Sequence, residues 1–155
     1  MKADIIIVGA GIIGMSLALS LSRNNKKIII IEKSLSSSLK INRVYSISKK
    51  TKSFYEEINV WEDIEKINNL ESMHIYYRDF NPKNMLSFSE KTDKTKIGYI
   101  AQSKYISLSL LKKVEADKNI RLLDNCEINK IENALEGVKI EIIDHESIEA
   151  KYLFS

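Results

Sequence analysis

Six consecutive residues, Gly9-Ala10-Gly11-Ile12-Ile13-Gly14, and one acid, Glu32, are the part of this chain best suited to chemistry. Glycines in the spacing G-x-G-x-x-G each have a separate use. Gly9 suits a tight turn, Gly11 lets a backbone approach a pyrophosphate closely, and Gly14 lets a helix pack near a strand. A helix starting in this turn offers free backbone N–H groups and a positive dipole end to phosphates. Glu32 lies 21 residues after Gly11. That is the distance at which a carboxylate accepts hydrogen bonds from an adenosine ribose. An acid in that place also disfavours a 2′-phosphate, and with it NADP. The chain has five glycines and three of them fall in this one turn, so the pattern is not the scatter of a glycine-rich loop. The chemistry it points to is dinucleotide binding.

The flanking elements must be a strand, a helix and a second strand. Residues 4–8 are a continuous apolar run of the kind found in parallel sheets covered on both faces. Residues 15–22 read as a helix, and residues 28–31, four isoleucines, as another buried strand ending at Glu32. Residues 33–38 have the composition of a polar loop. Ser48 is placed to cap a helix over about residues 49–58, and residues 61–67 suggest a further short helix. Residues 72–78 and 85–88 read as strands joined by a turn at 81–84, with a charged hairpin tip at 90–96. A helix over 104–117 follows, with Ile106, Leu108, Leu110, Leu111 and Val114 as its apolar face. The remainder is β-rich, with strands expected at 120–123, 126–131, 138–143 and 148–154. The last of these stops without a loop or cap, so the chain reads as cut short.

Bulk composition narrows the class. With 155 residues the chain can hold one domain with a real core, and 44% apolar and 29% charged residues are ordinary for a globular protein. A net charge of +3, with lysines spread along the chain, gives no support to nucleic-acid binding. The single cysteine, Cys126, rules out an internal disulfide and fits a reducing compartment. No apolar run is long enough to span a bilayer. The expected location is the cytoplasm, with peripheral attachment to the inner face of the membrane. His74 and His145 have no partners at metal-ligand spacing, so no metal site is expected.

Four stretches, residues 4–14, 28–33, 43–48 and 97–111, resemble the FAD-dependent aromatic hydroxylases. The closest branch is the ubiquinone-biosynthesis hydroxylases, related to para-hydroxybenzoate hydroxylase. The run Arg43-Val44-Tyr45-Ser46-Ile47-Ser48 is the most telling, because this family places an Arg-Val-x-x-Ile-Ser segment after the second strand. Trp61-Glu62-Asp63-Ile64 and Ile97-Gly98-Tyr99-Ile100 before a Leu-rich helix fit as well.

The resemblance implies an α/β fold, an FAD-binding Rossmann-like doubly wound sheet with an added antiparallel β excursion, apparently truncated. Residues 1–155 would form one FAD-binding domain, incomplete and without most of its substrate domain, and inactive in isolation. It implies a monooxygenase that hydroxylates an aromatic, prenylated ubiquinone intermediate with O₂, taking electrons from NAD(P)H as external reductant. Gly9, Ala10, Gly11, Ile13 and Gly14 would hold the FAD pyrophosphate, and Glu32 with Lys33 the adenosine side. Arg43 would lie along the cofactor, and Gln102 would face it from the start of a helix. Two other readings stay open at this point. One is an FAD oxidoreductase of another type, such as a lipid-saturating reductase or an amine oxidase. The other is a dinucleotide-binding module without catalysis.

Overall fold

The computed structural model describes residues 1–40, 42–76, 85–89, 97–134 and 137–155. Strand β1 (Lys2–Val8) leads into helix α1 (Ile12–Ser22) and strand β2 (Ile28–Ile31). β1 and β2 run parallel, with Ile5 opposite Ile28 and Val8 opposite Ile31. All four isoleucines of β2 are buried, as a strand covered on both faces requires. Their alternation divides the core. Ile5, Ile7, Ile28 and Ile30 pack with Met15, Ala18 and Leu110 on the helical side. Ile6, Ile29 and Ile31 pack with Val138, Ile140 and Ile148 on the other.

Helix α2 (Leu35–Lys40) follows, then strand β3 (Val44–Ser48), helix α3 (Lys49–Glu57) and a 3₁₀ turn at Trp61–Asp63. Next come strands β4 (Asn68–Leu70), β5 (Ser72–Tyr76), β6 (Met85–Ser89) and β7 (Gly98–Gln102), then helix α4 (Ser103–Ala116). The chain continues through strands β8 (Ile120–Leu123), β9 (Ile128–Ala134), β10 (Gly137–Ile142) and β11 (Ile148–Phe154). The main sheet has the order β8-β2-β1-β11-β10-β9. Its first four strands are parallel, and β9, β10 and β11 form an antiparallel meander. A second, antiparallel sheet has the order β3-β7-β4, and β5 and β6 form a separate two-stranded ribbon. That ribbon is the antiparallel excursion expected from the sequence, with Met73 opposite Phe88 and Ile75 opposite Leu86.

Several boundaries differ from the reading of the sequence. The polar stretch at 33–38 is partly helical, because α2 is held from elsewhere: the Leu35 N–H donates to Asp124 Oδ1 at 2.8 Å. The helix expected over 61–67 is only one 3₁₀ turn. Ile64 is already extended, and Lys66 has φ 54°, a left-handed conformation that no helix continues through. α1 begins at Ile12 rather than Met15, so the glycine motif itself supplies its first turn. The turn at 81–84 and the charged tip at 90–96 lie outside the described residues.

Candidate functional site

The carboxyl ends of parallel strands are where open α/β sheets form ligand crevices, and this sheet has one there. A cleft of about 590 Å³ lies beyond the ends of β1 and β11, within the usual size of cofactor sites. Gly9, Ala10, Gly11, Ile13 and Gly14 line one side, Arg43, Tyr45, Ser103 and Ser107 another, and Phe154 and Ser155 close it.

Each glycine has a distinct geometry. Gly9 has φ +103°, which a side chain would strain. A Cβ on Gly14 would lie 2.1 Å from the Gly9 carbonyl oxygen, so only glycine allows α1 this close to the strand it leaves. A Cβ on Gly11 would meet nothing within 4 Å, so its backbone faces open space. Gly11 is also the N-cap of α1, with no side-chain cap and no acid in the first turn. The first intrahelical bond runs from the Met15 N–H to the Gly11 carbonyl at 3.0 Å. The amide hydrogens before it, on Ile12, Ile13 and Gly14, have no intrahelical acceptor, and all three residues line the cleft. Ile13 stands 84% exposed at its rim. Backbone donors, a positive helix end and room for close approach together fit the phosphates of a dinucleotide.

Glu32 is buried and not on the cleft wall. One carboxylate oxygen accepts the Ala10 N–H and the other the Ser34 N–H, both at 2.8 Å. Lys33 points to the opposite side, where its ammonium pairs with Glu127 at 2.6 Å. Arg43 is exposed and borders the cleft, with its backbone clamped to the start of α4. Its N–H donates to Ser103 Oγ at 2.9 Å, and its carbonyl accepts the Ser103 N–H at 2.7 Å. Gln102 ends β7 opposite Val44 and is exposed, but it is not among the cleft-lining residues.

The geometry thus gathers the glycine loop and Arg43, keeps Glu32 directly behind the loop, and sets Lys33 and Gln102 apart. Reasoning from sequence missed Ser103, Ser107, Tyr45 and Phe154. The four-residue spacing of Ser103 and Ser107, which puts both on one face of α4, was the signal available for two of them. Beneath α1, burial pushes the Tyr55 phenol up, with the Ser16 hydroxyl opposing it.

Fold and site together have the geometry of a dinucleotide-binding domain. Residues 4–38 match the family model described as FAD dependent oxidoreductase. Among curated relatives, the mitochondrial ubiquinone biosynthesis monooxygenase COQ6 of Dictyostelium discoideum is 26% identical over 149 residues, covering 83% of this chain and 30% of that protein. Among solved structures, Pseudomonas aeruginosa PqsL in complex with 2-aminobenzoylacetate matches with a TM-score of 0.79 at 14% identity, over 99% of this chain and 42% of that one. The flavin-dependent monooxygenase PieE, in complex with FAD and substrate, matches with a TM-score of 0.79 at 15% identity, over 99% of this chain and 30% of that one. The structural likenesses establish the fold. The resemblance to the FAD-dependent aromatic hydroxylases read from the sequence is upheld, and the chain spans less than half the length of each of these relatives.

Proposed function

We propose that residues 1–155 form the FAD-binding domain of a flavin-dependent monooxygenase acting on an aromatic ring, with a ubiquinone precursor as the substrate class. The observation that carries this reading is the cleft. An uncapped helix end and an open glycine face one another's ligand space there, with a guanidinium at its border, on a fold shared with flavin monooxygenases. In this reading Gly9, Ala10, Gly11, Ile13 and Gly14 hold the pyrophosphate of FAD. Glu32 holds the adenosine ribose. Arg43 offsets phosphate charge with a guanidinium suited to oxyanions. Lys33, paired with Glu127, and Gln102, off the cleft lining, have no cofactor contact in this reading.

When bound, FAD supplies the oxygen-transfer chemistry, with NAD(P)H as reductant and O₂ as oxidant. The chain's own part is to bind and orient. The amides of α1 take phosphate charge without moving, and the apolar wall of Val8, Leu17 and Phe154 excludes water beside them. The substrate is a small prenylated aromatic, and no nucleic-acid partner is proposed. No helix among the described residues is long and apolar enough to cross a membrane. The proposed location is the cytoplasm, peripheral to the inner face of the membrane.

The test has two arms. Titration of the chain with FAD, followed by flavin fluorescence and visible absorption, should show saturable binding that Gly11→Asp removes. NAD(P)H oxidation by the native protein carrying this sequence should rise when prenylated phenols are added. Saturable FAD binding without that stimulation would leave the domain assignment standing and sink the hydroxylase.

A further inference from the structure

The parallel ladder between β1 and β2 does not stop at Val8 and Ile31. The Gly9 N–H donates to the Ile31 carbonyl at 2.8 Å, which carries the pairing one step into the glycine loop. Ala10 follows and is almost fully buried. A buried amide hydrogen needs an acceptor. The backbone of Glu32 faces the other neighbour of β2, where its carbonyl accepts the Cys126 N–H at 3.0 Å. The acceptor for the Ala10 N–H is the Glu32 carboxylate, at 2.8 Å. Its second oxygen accepts the Ser34 N–H, which fixes the side chain's direction from its other end. The Glu32 N–H donates to the Leu123 carbonyl, so the backbone beneath is locked as well.

We infer that Glu32 is the positioning residue of the glycine loop. Its carboxylate supplies the acceptor for the buried Ala10 amide at the point where β1 leaves the sheet, and holds the loop in its phosphate-binding shape before any ligand arrives. The inference rests on the dinucleotide reading of the cleft and extends it. A residue whose only task is to hold a ribose acts on one end of the ligand. Glu32, as placed, also sets the donors at the other end, the amides of residues 11–14 that follow directly on Ala10. The arrangement commits two backbone amides and a charged acceptor in a buried place. Hydrogen bonds to an ionised acceptor are the stronger kind, and a buried donor left without a partner bears the full desolvation penalty.

The test compares wild type, Glu32→Gln and Glu32→Asp. Gln presents an NH₂ group where one of the two amides needs an acceptor. Asp keeps the charge but is one methylene too short to reach both amides. Amide spectra of the ligand-free protein give the first readout. The Ala10 and Gly11 resonances should move or broaden in both variants, while residues of β9 and β10 stay in place. Affinities for FAD and for AMP, which has the ribose but no pyrophosphate, give the second. Positioning predicts that Glu32→Gln weakens FAD by about 10- to 100-fold and weakens AMP by a clearly smaller factor. Equal losses for FAD and AMP, or an unmoved Ala10 amide in the ligand-free variants, would overturn the inference. If Glu32→Gln does not fold, Glu32→Asp decides by the same two readouts. If wild type binds no FAD at all, the dinucleotide reading fails, and the ligand-free spectra still decide whether Glu32 sets the loop.

Discussion

Helices α1 and α3 begin in opposite ways. At α3, Ser48 is the N-cap and its hydroxyl accepts the Thr51 N–H at 3.0 Å, as an ordinary structural helix start requires. At α1 the N-cap is Gly11, with no side-chain cap and no acid in the first turn. The same chain caps one helix and leaves the other open. The difference lies in what each end faces: α3 begins at the surface, and α1 begins at a cleft of about 590 Å³. At α1 the missing cap coincides with the cleft, so its first amide donors adjoin the space a ligand would fill.

Four substitutions would break or sharpen that contrast. The largest effect is expected for Gly14→Ala, whose Cβ would lie 2.1 Å from the Gly9 oxygen. Pushing α1 off the strand should cost about 1–3 kcal/mol or more in denaturant melts and abolish FAD binding, since fold and site share this contact. Gly11→Asp should separate the two. Its side chain meets open space and gives α1 the cap it lacks, so stability should hold or rise by a few tenths of a kcal/mol. FAD affinity should fall by about 100-fold or more, because a carboxylate would face phosphates. A stability loss without a binding loss would reverse the roles assigned to the two glycines. Arg43→Ala should weaken FAD by about tenfold, more at low salt than at high, as for an exposed charge at a phosphate. A salt-independent effect would place its contribution in packing instead. The smallest effect is expected at the other helix. Ser48→Ala should cost about 1 kcal/mol in thermal melts and leave FAD affinity unchanged. A matching loss of affinity would erase the distinction between the helix ends.

The β1-α1-β2 unit was legible from residues 4–32 apart from the first turn of α1, because apolar runs and glycine spacing are local signals. α2 was not, since a run of serines and one leucine has turn composition, and what stabilises it is Asp124, 89 residues away. Residues 61–67 read as a short helix, yet Lys66 in a left-handed conformation redirects the chain within them. The cleft was half legible. The glycine loop and Arg43 announce themselves by motif. Ser103, Ser107 and Phe154 reach the same space through α4 and the last strand of the sheet, and no local pattern in the sequence records that meeting. Glu32 was picked out for the ribose by its spacing. Its bond to Ala10 arises where the end of β2 lies beside the turn out of β1, a contact that spacing along the chain does not reveal.

The position of β1 between β2 and β11 bears on how the protein is made. Residues 2–8 are made before residues 28–31 and can pair with them early, but their other edge pairs with residues 148–154. The Met1 ammonium even donates to the Ser147 carbonyl at 2.8 Å. The strand that carries the glycine loop therefore waits with one open edge through the synthesis of some hundred further residues. Such non-local parallel pairing is slow, and an unpaired apolar edge invites association in the meantime. Capture of nascent chains should find that edge protected only once β11 has emerged, so the glycine loop is made well before the strand that encloses it.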